Sequence, residues 1–182
     1  MKKILFVLAV VFFVSANQQT LQAQDFPKLD KSPMDAAAHP KSYRVSDKLV
    51  KVIYSRPQLK GRSLSRLAPN GKVWRTGANE APEVTFYKNV MFGDKEVKAG
   101  TYTLFTIPNE GSWTIILSNQ INVWGAYFYN ESEDVVRAEA KVSNLDQSVE
   151  AFSILFTGDE VNSATLHFAW GTTLASIPVT AK

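Results

Sequence analysis

The residues most able to do chemistry lie in one stretch, residues 71–81, which reads Gly-Lys-Val-Trp-Arg-Thr-Gly-Ala-Asn-Glu-Ala. An indole, a guanidinium, an amide and a carboxylate stand there on Trp74, Arg75, Asn79 and Glu80. A guanidinium beside an amide can bind a carboxylate, a phosphate or a uronic acid. Glu80 could act as a general base. If this protein has a site, we expect it in this stretch.

Two residues outside the stretch extend the candidate site. Strand alternation places Arg56 on the face of Tyr54, so we expect its side chain to point inward at the end of a strand. A buried guanidinium must be paired and hydrogen-bonded, and Glu80 is the expected partner. Either Trp74 or Trp124 could stack on a sugar ring. The candidate ligand-binding residues are therefore Arg56, Trp74, Arg75, Asn79, Glu80 and Trp124.

A structural interpretation uses the same residues. In it, Trp74 fills the core, and a polar cluster pins a long connection onto the strands; the cluster consists of Arg56, Arg75, Asn79 and Glu80. Structural ion-pair networks are common, which favours such a tether. The orientation of Arg75 decides between the two interpretations. Alternation turns Arg75 toward water if Trp74 points inward, and toward the core otherwise.

No second catalytic group accompanies Glu80 in the sequence. Glycoside hydrolysis needs two carboxyl groups, and neither Glu83 nor Asp94 has a reason to face Glu80. The chain has no cysteine and only two histidines. We expect His39 in a solvated loop and His167 on a strand surface, because metal ligands and triad members come in clusters. The sequence thus predicts no catalytic residue, no metal and no cofactor.

The N-terminus is typical of a secretory signal. Two lysines precede an unbroken apolar run over residues 4–14, which is too short to span a membrane. Cleavage is expected after Ala16 or after Ala23, and we assign residues 1–23 to the signal peptide. We therefore expect an exported protein, periplasmic or secreted, with no membrane span once the signal is removed.

Charge and composition exclude several partners. The chain has 182 residues, 20 basic against 17 acidic, and a formal net charge of +3. Removal of Lys2 and Lys3 with the signal leaves 18 basic against 17 acidic residues, a balance of +1. Nucleic-acid binding needs a clustered basic face, so we do not expect it. A hydrophobic content of 45% is sufficient for one domain with a core.

Period-two patterns dominate the chain from residue 47 onward. Val136, Ala138 and Ala140, for example, alternate with charged residues, which is typical of a half-exposed antiparallel strand. About nine short strands are separated by turn signals, and no segment has a helical period. We predict a single-domain, all-β fold, an antiparallel β-sandwich of jelly-roll type, over residues 47–182. Residues 24–46 are predicted to be a linker or lead-in.

Several motifs stand in one order along the chain: Tyr-Ser-Arg-Pro at 54–57, Lys-Gly-Arg at 60–62, the stretch at 71–81, Ala-Gly-Thr-Tyr at 99–102, Leu-Phe-Thr-Ile-Pro at 104–108 and Trp-Gly at 124–125. Together they resemble the bacterial family catalogued as domain of unknown function 2911. The resemblance extends from about Ser32 to Val179. It implies an exported, β-rich bacterial domain, and it brings no established activity, ligand or catalytic residue.

The leading hypothesis is non-catalytic binding of a small or carbohydrate-like ligand in the cell envelope. A glycan-directed hydrolase with Glu80 in the site is one alternative. A structural or protein-partner module that uses an exposed strand edge is the other. An open cluster would favour binding, and a second carboxyl group near Glu80 would favour the hydrolase.

Overall fold

The computed structural model describes residues 26–182, so the predicted signal peptide lies outside the described residues. Nine β-strands make up nearly all of the regular structure: β1 Met34–His39, β2 Val50–Ser55, β3 Glu83–Phe86, β4 Val90–Phe92, β5 Lys95–Val97, β6 Gly100–Pro108, β7 Ser112–Ser118, β8 Asp134–Thr157 and β9 Ser163–Ala181. Within residues 26–182, helix is confined to α1, Leu64–Leu67, and a 3₁₀ turn, Glu131–Glu133. Among residues 26–182, no helix combines the length and the apolar character that a membrane span requires.

The strands form one open antiparallel sheet in the order β1-β2-β3-β6-β7-β8-β9-β4-β5. The prediction of an all-β, antiparallel fold is confirmed. The pairing differs from the expected sandwich in one respect, because the nine strands join as one continuous sheet rather than as two separate sheets. The continuity comes from β8, which pairs with β7 over residues 134–141 and with β9 over residues 141–157.

The second half of β8 also lies beside the segment that follows β2. Register shifts after Asn144 and after Val149 interrupt its ladder with β9, and such irregularities bend a strand. Beyond them, the Phe152 N–H donates to the carbonyl oxygen of Pro57 at 2.8 Å. The Leu59 N–H donates to the carbonyl oxygen of Glu150 at 3.0 Å. Segment 56–62 is thereby fixed against a strand almost a hundred residues later.

An aromatic cluster around Trp74 forms one end of the core. The Trp74 ring stacks on Trp170 with 5.5 Å between centroids and 16° between planes. It meets Phe152 and Trp113 edge-on at 5.1 Å and 6.1 Å. Aromatic pairs in such geometries contribute about 0.5–1.5 kcal/mol beyond the burial of area. Trp74 is 6% exposed, so the prediction that it fills the core is confirmed.

One part of the predicted lead-in, residues 34–39, is a paired strand. Residues 34–39 form β1, which pairs with β2 along its whole length. His39, expected in a solvated loop, is only 4% exposed, and its Nε2 lies 2.7 Å from the carbonyl oxygen of Glu160. The sequence concealed this strand because three successive alanines, 36–38, give no contrast between an apolar and a polar face.

His167, expected on a strand surface, is half-buried on β9 and lies between two hydroxyls. Its Nε2 is 2.8 Å from Thr157 Oγ1, and its Nδ1 is 2.7 Å from Ser176 Oγ. Burial lowers the pKa of His167 below its ordinary value, because the charged imidazolium loses hydration there.

This lowered pKa predicts a loss of stability in mild acid. The unfolded chain takes up a proton on His167 near its ordinary pKa of about 6.5, before the folded chain does. The neutral ring contributes its full stability above about pH 6.5, the pKa of His167 in the unfolded chain. This contribution is lost as the pH falls from there toward the lower pKa of His167 in the folded chain. Between about pH 8 and about pH 5, the Tm of the wild type should fall more steeply than that of His167→Gln. Equal slopes in the two proteins would contradict the assignment.

Candidate functional site

Loop 71–81 forms one wall of a cleft with a volume of about 450 Å³. Segment 57–62 and the lead-in before β1 supply the other walls, and Trp74 and Trp170 form its base. The charged side chains that line the cleft are all basic, and we call it the basic cleft: Lys31, Lys60, Arg62 and Arg75. Asn79 and Gln58 add amide groups to the lining.

The loop is held in the fold by pairing with β6. The Trp74 N–H donates to the carbonyl oxygen of Thr106 at 2.7 Å, and the Thr106 N–H donates back at 2.9 Å. The Thr76 and Thr106 hydroxyls lie 2.7 Å apart. Thr76 and Asn79 adopt left-handed backbone conformations, with φ of 55° and 60°. Such conformations cost on the order of 1–3 kcal/mol each, so the packing around the loop must compensate for them.

Arg75 lines the basic cleft without a protein partner. Because Trp74 points inward, alternation turns Arg75 away from the core, as the sequence argument required. The Arg75 side chain lies in the cleft and is half-buried. Its Nε is buried and has no hydrogen-bond partner in the described chain. No carboxylate within residues 26–182 forms an ion pair with it.

Arg56 belongs to a separate tether, and the expected pairing with Glu80 is wrong. The Arg56 guanidinium donates to the carbonyl oxygen of Phe152 at 3.1 Å and to Ser153 Oγ at 2.7 Å. It also donates to Asp35 Oδ2 at 3.0 Å. Arg56 therefore fastens β1 and the end of β2 to β8. The bend of β8 brings these partners into reach, and no local pattern in the sequence shows that bend.

Glu80 lies in a different cleft, of about 260 Å³. The charged residues that line it are Glu80 and Glu83, and we call it the acidic cleft. We expected no reason for Glu83 to share a surface with Glu80. The structure brings both to one cleft because Glu80 pairs with Trp124 and because Glu83 Oε1 accepts a hydrogen bond of 2.9 Å from the Asn122 N–H. The predicted cluster of Arg56, Arg75, Asn79 and Glu80 is thus divided among three places.

Trp124 is 59% exposed and is not a lining residue of either cleft. It belongs to loop 119–130, which also exposes Tyr127 and Phe128. The loop is anchored by Tyr129, whose hydroxyl donates to Asp134 Oδ2 at 2.5 Å. Burial, followed by this hydrogen bond, raises the pKa of Tyr129 to about 12.

Most lining residues of the basic cleft were not predicted, among them Lys31, Lys60, Arg62 and Trp170. Lys60 and Arg62 lie in the Lys-Gly-Arg motif at residues 60–62, to which we assigned no binding role, so a signal was present. Lys31 and Trp170 carried no such signal, because one lies in the lead-in and the other in a regular strand. Within the part of the chain that the structure describes, no group of three acidic or histidine side chains could hold a metal.

Gly77 allows the loop to pack closely against the end of β2. A Cβ at this position would lie 3.1 Å from the carbonyl oxygen of Ser55, so we expect Gly77→Ala to lower the free energy of unfolding by about 1–3 kcal/mol. Gly111→Ala is the matched control, because nothing lies within 4 Å of a Cβ there. The control should be neutral or stabilising by up to about 1 kcal/mol. Urea unfolding measures the stability of both variants. Equal stabilities of Gly77→Ala and Gly111→Ala would refute the requirement for close packing at Gly77.

Comparison with known proteins gives one match. A search of curated proteins and a search of solved structures each found no match to this chain. The model of the family described as "Protein of unknown function (DUF2911)" matches residues 32–179. That match runs from the lead-in before β1 to two residues before the end of β9, and it contains every lining residue of the two clefts except Lys31. The chain therefore belongs to the DUF2911 family, as the motifs had indicated.

Proposed function

We propose that this protein is a non-catalytic binding module for a small, anionic, carbohydrate-like ligand, which it holds in the basic cleft. The observation that carries the proposal is the charge of the lining, where the described residues supply four cationic side chains and no carboxylate. The Glu150 carboxylate accepts a hydrogen bond from the Lys60 main chain at 2.7 Å, but it is not a lining residue. A bound anion would balance these charges.

The energetics favour an anion over a neutral molecule. A buried donor without a partner costs about 1–3 kcal/mol, and the Nε of Arg75 is such a donor. Like charges that converge on a concave surface with low-dielectric walls raise the local concentration of counter-ions. A ligand that brings a negative group to Arg75 would accept from the unpaired Nε and would also balance the clustered positive charge.

The remaining lining supports a sugar-like body for the ligand. Trp74 and Trp170 line the base but are only 6% and 1% exposed, so contacts with a sugar would come chiefly from the polar lining. The amides of Gln58 and Asn79 and the hydroxyl of Ser32 can exchange hydrogen bonds with sugar hydroxyls.

The proposed place of action is the cell envelope or the extracellular space. Support comes from the N-terminal sequence, where two lysines and an apolar run precede two candidate cleavage points. An exported binding module without cysteine must rely on its core for stability, and the aromatic cluster around Trp74 provides one.

Removal of the Arg75 guanidinium should weaken the binding of acidic sugars. The wild type and the variant are each titrated by calorimetry with glucuronate, galacturonate and glucose 6-phosphate. Arg75→Ala should raise the Kd of each ligand by about 10- to 100-fold, because it removes a hydrogen bond to a charged group. Arg44→Ala is the control, because it removes the same charge from an exposed loop outside the cleft. Absence of binding to the wild type, or an equal effect of both substitutions, would overturn the proposal.

The acidic cleft supports a second candidate function, hydrolysis of a glycan. Two carboxyl groups that share a cleft are the minimum for that reaction, and Glu80 and Glu83 share one. In this case Glu80→Gln should abolish the release of aryl leaving groups from aryl glycosides, with the folded state checked by Tm. A wild-type protein that releases nothing from a panel of such glycosides would eliminate this candidate.

A further inference from the structure

We propose that the basic cleft recognises its ligand by an oxyanion, which is held by the main-chain N–H groups of Gly77, Ala78 and Asn79 together with the Arg75 guanidinium. This inference rests on the proposed function and specifies the ligand class. The class comprises sugar acids and sugar phosphates, whose shared chemistry is a compact group of negatively charged oxygens. Neutral sugars and amino sugars fall outside it.

Unused main-chain donors are the first observation. Gly77, Ala78 and Asn79 all line the basic cleft. None of their N–H groups donates a hydrogen bond to another residue within 26–182. Gly77 and Ala78 are buried, and buried N–H groups without a partner are rare in folded proteins. The three successive N–H groups thus have no protein acceptor among residues 26–182 and are available to an acceptor that a ligand supplies.

The conformation of the loop is the second observation. Thr76, which precedes the three donors, and Asn79, which is the last of them, both have left-handed backbones. Successive N–H groups in such turns form concave anion-binding surfaces, as they do around phosphate groups in other proteins. The opposite side of the loop is already occupied, because the carbonyl oxygen of Asn79 accepts a hydrogen bond of 3.0 Å from the Gly125 N–H. The loop is thereby held in place while its donors stay available.

Arg75 is the cationic residue that can make a direct contact with the oxyanion. Arg62 already donates to the carbonyl oxygens of Leu59 and Gln58 at 2.9 Å and 2.7 Å. Arg75 has no such bonds in the described chain, and its Nε is buried beside the same loop. A guanidinium and main-chain N–H groups together satisfy either a carboxylate or a phosphate. Lys31 and Lys60 contribute longer-range attraction, which salt screens.

This mode of recognition has a consequence for specificity. Main-chain donors contact the oxyanion and do not contact the hydroxyls that distinguish one epimer from another. Glucuronate and galacturonate should therefore bind with similar Kd values. Loss of the charge, as in glucose, should raise Kd by about 10- to 100-fold. Inorganic phosphate should compete with both acids for the same cleft.

The test is a titration of the ¹⁵N-labelled protein followed by amide resonances. Sodium glucuronate and inorganic phosphate should each move the amide protons of residues 77–79 downfield in a saturable manner, and glucose should not. Ala78→Pro removes one donor and should weaken both anions, provided that its Tm shows a folded protein. The wild-type resonances give the answer even if that variant does not fold.

The outcomes separate this inference from the proposed function. If glucuronate binds and moves only amides outside residues 77–79, the basic cleft or another surface binds the ligand and the main-chain contact is refuted. If glucose binds as tightly as glucuronate, a carbohydrate site exists without oxyanion recognition, and the inference again fails. If neither glucuronate nor phosphate binds, both this inference and the proposed function fail.

Discussion

The packing of Trp74 is the interaction on which the site depends. Its ring stacks on Trp170 and contacts Phe152 and Trp113, so one side chain joins the loop to three strands of the sheet. Side chains alternate along an extended segment, so burial of Trp74 forces Arg75 to the other side. The core therefore orients the cation of the basic cleft, although the two residues have unrelated chemistry.

The bend of β8 assigns different roles to two arginines that look equivalent in the sequence. Beyond its register shifts, β8 presents the Phe152 carbonyl and the Ser153 hydroxyl to Arg56. Asp35 of β1 completes that set, and Arg56 becomes a tether between strands. Arg75 lies out of this network and keeps its donors free. The structural and the functional interpretations of the motif are thus both useful, each for a different arginine.

Loop 71–81 separates two clefts of opposite charge. Residues 77–79 face the basic cleft, whereas Glu80 lines the acidic cleft with Glu83. The Glu80 carboxylate, only one residue from Asn79, would offset one of the four positive charges of the basic cleft if its side chain turned the other way. The pairing of Glu80 with Trp124 prevents this by fixing the course of the backbone at that point. Charge separation in this protein is therefore a property of backbone pairing.

The sequence by itself determined the class of the fold, because alternation of polar and apolar residues specifies half-buried strands. It also located the loop that lines the basic cleft, since its chemical groups are unlike those of the strands around it. It could not identify β1, whose alanines have no polar contrast, or the buried state of His39. Only the tertiary structure decided the partners of Arg56, the shared cleft of Glu80 and Glu83, and the shared cleft of Lys31 and Arg75. Each of these depends on contacts between residues far apart in the chain, and local periodicity carries no information about such contacts.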